Sequence, residues 1–263
     1  MRNLNVNTGE VPASITERCL RWNGRRHGYR PAGEPLDTKR YSVEPLDESR
    51  AKAFVLEHHY SRSYPAARFR AGMFEHRAFN KPQLVGVAVF SVPMTQSLVP
   101  KYLGTPPAKG VELGRFVLDQ SVPGNGESWA LARAFRLVRA ALDIDGIVSF
   151  CDPVARYDQA GREVKRSHTG VIYRSHNAQH AGRTLPRTLL LMPNGLSVSD
   201  RTLSKIRNGE QGYDYAVRQL LDAGASSRCL AEEPRDWIAR LRREGFLRPL
   251  RHPGNLAFIW KWA

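Results

Sequence analysis

The stretch from Leu118 to Leu142, LDQSVPGNGESWALARAFRLVRAAL, constrains the fold more than any other part of the chain. The overlapping segment VELGRFVLD (111–119) is apolar on both faces and predicts a central β-strand. After a loop that contains glycine and proline, apolar residues recur with the helical period of about 3.6. They are Leu131, Ala134, Phe135, Val138 and Leu142. A central strand therefore leads through a short loop directly into an amphipathic helix.

The loop permits two interpretations. A helix N-terminus offers unpaired backbone N–H groups and the positive end of the helix dipole, and Gly124 and Gly126 would let an anion approach closely. On this interpretation Gly124, Asn125 and Gly126 bind the phosphates of a cofactor. On the other, the loop is an ordinary connection, because a G-x-G pair alone is a weak signal. The chain lacks G-x-x-x-x-G-K-[ST], which excludes a nucleotide-hydrolysing P-loop.

Strands and helices alternate along the chain, which predicts an α/β fold with a mixed central sheet flanked by helices. The other predicted elements are helices at 47–59 and 168–182, strands at 83–92, 146–153, 184–195 and 256–262, a polar loop at 155–167, and three helices within 199–244. The three late helices form an insertion before the last strand. We predict a basic polar arm (1–40), a core (41–195), a helical insertion that contacts DNA (196–245) and a C-terminal strand that completes the core (246–263).

The formal net charge of +15 predicts a polyanionic partner, and nucleic acid is the polyanion it favours. Basic side chains flank the amphipathic helix at Arg133 and Arg136 and recur in the first late helix at Arg201, Lys205 and Arg207. Such residues contact phosphates and set position rather than sequence preference. A solvated basic surface, or a genome rich in arginine codons, is the alternative explanation.

The remaining composition indicates a soluble protein. The three cysteines form no C-x-x-C pair, so a disulfide framework or a cysteine zinc site has little support. No stretch approaches about twenty apolar residues, and the first thirty contain no apolar signal-peptide segment. We therefore expect a cytoplasmic protein with no membrane partner.

Several polar residues are candidates for chemistry. Asp152 follows a predicted strand directly, where ligands bind in α/β sheets, so it is a general base, a metal ligand or simply a residue that starts a turn. His59 and Tyr60 end a helix and are either reactive groups or a cap. His176 and His180 have metal-binding spacing, but HNAQH lacks the glutamate of H-E-x-x-H. Ser128 is a reactive hydroxyl or a first-turn residue.

Taken together, these segments resemble the N-acetyltransferase (GNAT) superfamily. ELGRFVLD followed by QSVPGNGES is similar to the superfamily's strand, loop and helix, in which loop amides hold the pyrophosphate of coenzyme A. GIVSFCDP and GVIYRSHNAQHAGRT resemble the next strand and helix, with Tyr173 where a tyrosine acid is often found. The resemblance implies a GNAT-like sheet and an acyl-CoA cofactor such as acetyl-CoA.

A narrower resemblance is to the Mom family of phage DNA-modification proteins. The matching segments, in order, are HHYSR, ELGRFVLD, NGESW, SFCDP, TGVIYRSHN, GRT and HPGN. This resemblance implies a phage or prophage enzyme in a bacterial cell that converts adenine N6 in double-stranded DNA to a carbamoylmethyl form and so blocks restriction. The family's functional positions correspond to His59, Tyr60, Ser128 and Asp152. Position alone adds Arg115 as a cofactor ligand and Tyr173 as an acid.

The sequence departs from the family pattern in two ways, and it leaves one alternative for the site and two for the function. The glycines lie closer to the helix than in the superfamily's usual loop, and 155–167 is an insertion. His59 and Asp152 could instead hold a ferrous ion, which the spacing leaves unassigned. An acetyl-CoA-dependent transferase acting on a protein or small amine is the first alternative function. A DNA-binding regulator without enzymatic activity, built on a helix-turn-helix in the insertion, is the second.

Overall fold

The computed structural model describes residues 18–24, 26–61 and 63–262, so residues 1–17 of the predicted arm lie outside the described part. The chain divides into two compact units. Unit 1 comprises residues 1–151, 169–182 and 256–263, and unit 2 comprises residues 152–168 and 183–255. Unit 2 is thus larger than the helical segment 196–245 that the sequence pattern indicated.

The elements follow one another in an α/β order. As far as residue 151 they are β1 (Arg18–Asn23), β2 (Arg26–Pro31), β3 (Tyr41–Pro45), α1 (Glu48–His58), β4 (Ala67–Glu75), β5 (Gln83–Ser91), α2 (Leu98–Leu103), β6 (Gly110–Leu118), α3 (Gly126–Ala141) and β7 (Gly146–Cys151). The later elements are β8 (Arg156–Tyr157), β9 (Glu163–Lys165), α4 (Val171–Ser175), β10 (Gln179–Arg183), β11 (Arg187–Leu191), β12 (Ser197–Val198), α5 (Asp200–Asn208), α6 (Tyr213–Asp222), α7 (Pro234–Arg243), β13 (Arg248–His252) and β14 (Leu256–Lys261).

A seven-stranded sheet forms the centre of unit 1, in the order β10-β14-β7-β6-β5-β4-β3. Strand β6 is parallel to β7 and antiparallel to β5, so the sheet is mixed. Alternate side chains of β5 point to opposite faces, where Ala88 and Phe90 pack beneath α3, and Val87 and Val89 pack beneath α1. The predicted mixed sheet flanked by helices is confirmed, with β6 at its middle and α3 following it.

Two irregularities of β6 shape its surroundings. Leu113 pairs with Phe90 and Arg115 pairs with Val89, so Gly114 is an extra residue, a β-bulge. The bulge shifts the alternation of side chains and places Arg115 on the same face as Glu112. In addition, β6 pairs with β7 only over 110–112 and 146–148. Beyond these pairs the two parallel strands no longer share a ladder, and a gap opens toward their carboxyl ends.

The predicted long helix over 168–182 is wrong. Helix α4 ends at Ser175, and Asn177 adopts a left-handed conformation with φ 58°, which a continuing helix does not tolerate. The chain then extends into β10, so His176 and His180 do not share a helix face. The predicted loop at 155–167 contains the short antiparallel pair β8 and β9.

Unit 2 has a hydrophobic core of its own. The three predicted late helices are present as α5, α6 and α7, and they pack around the fully buried Trp237, whose indole Nε1 donates to the Ser226 carbonyl at 2.8 Å. A three-stranded sheet in the order β12-β11-β13 contributes Leu190 and Val198 to the same core. Among the described residues of both units, no helix has the length and apolarity needed to cross a membrane.

Candidate active site

Polar side chains of unit 1 lie where β6 and β7 stop pairing. Ser149 of β7 donates its hydroxyl to the Leu113 carbonyl at 3.0 Å, which replaces one of the missing ladder bonds. Gly170 precedes α4 with φ 77°, and a Cβ at that position would lie 2.3 Å from the Phe258 ring. Glycine thus lets α4 approach β14, so that Tyr173 is buried against Phe258 and Trp260 with ring centroids 5.4 and 5.6 Å apart.

Tyr173 is held as a neutral phenol. Burial raises the pKa of Tyr173 above its usual value, and the neighbouring Cys151, Tyr60 and Glu112 raise it further. A hydrogen bond with Ser149 opposes this shift without cancelling it. The phenol therefore keeps its proton at neutral pH and is available as a hydrogen-bond donor.

Arg115 lies on β6 beside these groups and is fixed by hydrogen bonds. Its Nε donates to the Ser63 carbonyl at 3.0 Å and its Nη2 donates to Ser63 Oγ at 2.7 Å. Burial lowers the pKa of Arg115, while Tyr60, Glu112 and Tyr173 oppose that effect. A guanidinium keeps its charge even so, and it presents a fixed cation to the gap.

Glu112 is a site residue that sequence reasoning missed. It lies on the same face of β6 as Arg115, because the bulge at Gly114 changes the alternation. Burial raises the pKa of Glu112, while Arg115 and the Met94 backbone N–H act in the opposite direction. The acidic residue of ELGRF was visible in the sequence, but only the bulge shows that it shares a face with the arginine.

His59 and Tyr60 follow α1 and form part of an aromatic stack. The rings of His59 and Tyr60 stack with centroids 4.3 Å apart, and Tyr60 also lies 4.9 Å from Trp22 of β1. The Nδ1 atom of buried His59 accepts the Ser61 backbone N–H at 3.1 Å, so the ring proton is on Nε2. Tyr60 thereby has a fixed position near Arg115.

The glycine loop before α3 already binds an anion, the side chain of Glu34. Gly124 donates its backbone N–H to Glu34 Oε2 at 2.9 Å, and Arg30 donates to both carboxylate oxygens at 2.8 and 2.7 Å. A Cβ at Gly124 would lie 2.3 Å from the Pro31 carbonyl oxygen, so this glycine is needed for the approach of the segment after β2. Asn125 Nδ2 donates to the Glu34 carbonyl at 3.5 Å.

A buried ion pair connects β1 to α3. Arg21 of β1 pairs with Glu127 of α3 and donates to the carbonyl of Pro123 at 2.8 Å. Burial lowers the pKa of Arg21 to about 10, which leaves it charged at neutral pH. Gly126 and the half-buried Ser128 lie in the first turn of α3. In this arrangement the loop is filled by the chain itself and does not fit the pyrophosphate of coenzyme A.

Asp152, the first residue of unit 2, is enclosed by donors. His252 Nε2 and the Val154 backbone N–H donate to Oδ1, each at 2.9 Å. Arg156 donates to Oδ2, and the Nζ atom of Lys165 lies 3.5 Å from Oδ1. The Nδ1 atom of His252 accepts the Gly254 N–H at 3.0 Å, which places the imidazole proton on the nitrogen that faces Asp152.

These donors keep Asp152 ionised. Burial alone would raise the pKa of Asp152, but Lys165 and Arg156, together with the bonds from His252 and Val154, lower it to about 2. His168 donates its backbone N–H to the Asp152 carbonyl at 2.9 Å, and burial followed by Lys165 lowers the pKa of its imidazole to about 4. At neutral pH the site therefore contains a carboxylate, two cations and neutral imidazole.

A metal ion does not fit these residues. Both oxygens of Asp152 accept hydrogen bonds from protein donors, and Nδ1 of His59 is occupied by Ser61. Within residues 18–24, 26–61 and 63–262, no group of three or more His, Cys, Asp or Glu side chains could hold a metal.

The predicted nucleic-acid contacts differ in their surroundings. Arg133 lies over the Trp129 ring, 3.7 Å from its centroid, and Arg136 is exposed on the same helix. In unit 2, Arg201 forms an ion pair with Glu210 at 2.6 Å, Lys205 is half-buried and Arg207 is exposed. Arg136 and Arg207 make no ion pair with any described residue, so their charges are the most available to phosphate.

Comparison with known proteins gives a family match over most of the chain. The model of the Mom protein family matches residues 40–230. No curated protein matches the chain. Among solved structures, a tandem GNAT protein from the clavulanic acid biosynthesis pathway (without AcCoA) is similar at a TM-score of 0.40 and 9% identity, over 84% of this chain and 98% of that one. This likeness is too weak to support conclusions about ligands.

We predict that Asp152→Asn destabilises unit 2 in a pH-dependent way. At neutral pH the change leaves Lys165 and Arg156 without their carboxylate, and removing one partner of a buried ion pair costs about 3–5 kcal/mol. The folded pKa of about 2 lies below the usual 3.8, so the stabilisation is fully present above about pH 4 and is lost as the pH falls through about 2. Urea denaturation at several pH values measures the difference in unfolding free energy.

Asp143→Asn is the matched control, because Asp143 pairs with Lys109 while mostly exposed to solvent. It should change stability little at any pH. A cost for Asp152→Asn that is equally large near pH 7 and below pH 3 would contradict the proposed electrostatic role.

Proposed function

The chain belongs to the Mom protein family, and on that premise we propose that it is a transferase that modifies the N6 amino group of adenine in DNA. The observation that carries this proposal is the family match over residues 40–230, which includes Tyr60, Arg115, Asp152 and Tyr173. A phage or prophage role in protecting DNA from restriction, through a carbamoylmethyl group on adenine, is the finer part of the proposal.

The chemistry of adenine explains why a fixed acid and a fixed cation are useful. The N6 lone pair is delocalised into the ring, so N6 is a poor nucleophile and needs a positioned partner. In the proposed transfer, N6 forms a bond to the reactive carbon of the donor and loses one proton, while the leaving group gains one. The protonated phenol of Tyr173 supplies that proton, and Arg115 stabilises negative charge that develops in the gap.

Glu112 fits the role of base better than Asp152 does. A general base works best when its pKa lies near the working pH, and burial raises the pKa of Glu112. Asp152 has a pKa of about 2, and both of its oxygens already accept hydrogen bonds. We assign Asp152 a positioning role, in which it holds His252, Arg156 and Lys165 around the start of unit 2.

We propose an acyl-CoA as the donor of the transferred group. The GNAT resemblance implies an acyl donor such as acetyl-CoA, held by loop amides that would be those of Gly124, Asn125 and Gly126. Position alone adds Arg115 as a further ligand of the donor. The Glu34 carboxylate occupies the Gly124 N–H, so coenzyme A could bind at this loop only after Glu34 leaves it. Arg30 and Arg21, whose charges lower the pKa of Glu34, would then be available to a phosphate group.

Double-stranded DNA is the proposed partner. A net charge of +15 favours binding to phosphates and speeds association. Because N6 of adenine lies inside the stacked duplex, an enzyme that reacts there must extrude the base or act on a single strand.

Nucleoside mass spectrometry tests the proposed function. Plasmid DNA from cells that express the protein should contain a deoxyadenosine derivative heavier than deoxyadenosine, and its mass identifies the group. Glu112→Gln should lower its amount by at least about a hundredfold, since general acid–base groups contribute factors of about 10²–10⁴. Unmodified DNA at normal protein levels would contradict the proposal and favour a transferase that acts on a protein or small amine.

The salt dependence of DNA binding tests the predicted basic helix. Replacing Arg201, Lys205 and Arg207 by alanine should weaken binding and reduce the slope of log K against log salt, by about 0.9 for each phosphate that is no longer neutralised. Arg207→Ala alone should have a larger effect than Arg201→Ala, because Arg201 is already paired with Glu210. An unchanged slope in the triple variant would place the DNA surface elsewhere.

A further inference from the structure

An exposed apolar tip lies between two arginines in unit 2. The segment RTLPR (183–187) connects β10 to β11, and Leu185 at its centre is 81% exposed. Pro186 is exposed beside it. Leucine at this exposure in a basic protein has no role in the core or in the gap between β6 and β7.

The tip is held in a defined shape by the HPGN segment. Thr184 donates its backbone N–H to the Asn255 carbonyl at 2.9 Å, and Asn255 donates its N–H to Thr184 Oγ1 at 2.8 Å. Gly254 has φ 96°, and a Cβ there would lie 2.0 Å from the Thr184 carbonyl oxygen, so this close approach requires glycine. The two motifs GRT and HPGN therefore form a clamp that presents Leu185 to solvent.

The charges around the tip are uncompensated. Arg183, Arg187 and Arg251 are exposed, and none of them forms an ion pair or a side-chain hydrogen bond with a described residue. Arg251 pairs with Thr188 across β11 and β13, one position from the pairing of Arg187 with His252. Arg187 and Arg251 thus lie on opposite faces at one end of the β11–β13 pair, and Arg183 lies at the end of β10 on the other side of Leu185.

An apolar tip with this charge pattern matches one kind of partner. Proteins that kink or open duplex DNA insert leucine, proline or similar apolar side chains between base steps, while adjacent arginines hold the phosphates. A second protein copy would need a complementary acidic surface, which a chain of net charge +15 supplies poorly. Charge complementarity therefore favours DNA as the occupant.

We propose that Leu185 is a wedge that enters the base stack of bound duplex DNA, with Arg183, Arg187 and Arg251 on the flanking phosphates. This inference rests on the proposed function and adds to it the means by which the buried N6 becomes accessible. The clamp between Thr184 and Asn255 stiffens the tip, so that insertion does not require a loop to become ordered first.

Fluorescence of 2-aminopurine tests the wedge independently of chemistry. The probe is a short duplex in which 2-aminopurine replaces a central adenine, because its fluorescence rises when it leaves the stack. The full-length protein should raise the fluorescence, and Leu185→Ala should lower the rise at saturating protein by at least about tenfold, the effect of about 1.4 kcal/mol. Leu230→Ala is the matched control, since Leu230 is also an exposed leucine of unit 2.

A second measurement separates the wedge from the proposed function. Leu185→Ala should lower modification of fully paired DNA by about tenfold but leave modification of a duplex with a mismatched adenine unchanged. If the wild-type protein opens the duplex but modifies nothing, the wedge stands and the proposed function fails. If Leu185→Ala opens and modifies paired DNA as the wild type does, the wedge is wrong. Binding to anionic lipid vesicles that Leu185→Ala abolishes, with no opening of DNA, would also overturn it.

Discussion

The site in unit 1 depends on the early end of pairing between β6 and β7. Two adjacent parallel strands normally continue their ladder, but here pairing stops after Glu112 and Val148. The gap leaves backbone groups to be satisfied by other means, and Ser149 does this for Leu113. Tyr173 and Arg115 then reach the same opening from α4 and β6.

Three acidic side chains, those of Glu112, Asp152 and Glu34, have different electrostatic surroundings and therefore different roles. Burial raises the pKa of Glu112, whereas a ring of cations and N–H donors lowers the pKa of Asp152 to about 2. A third carboxylate, that of Glu34, takes the place of an external anion at the N-terminus of α3. The surroundings of each carboxylate therefore set its role. Glu112 is suited to accept a proton, Asp152 holds its cationic neighbours, and Glu34 binds the loop before α3.

Local patterns in the sequence predicted the main elements, and long-range contacts account for what they missed. The period of Leu131, Ala134 and Phe135 predicted α3, and the β-branched run at 83–92 predicted β5. The helix predicted over 168–182 was wrong because Asn177 leaves the helical region, which composition does not reveal. Glu34 meets Gly124 across ninety residues, and Asp152 meets His252 across one hundred, so no local pattern signals either contact.

The central claim is that transfer takes place in the gap between β6 and β7, with Tyr173 as the proton donor. Tyr173→Phe tests it most directly, because it removes the hydroxyl and keeps the buried ring that packs on Phe258 and Trp260. The decisive measurement is the fraction of modified deoxyadenosine in DNA from cells with equal amounts of folded protein. We predict a fall of about a hundredfold or more with DNA affinity unchanged. Modification at the wild-type level in Tyr173→Phe would contradict it.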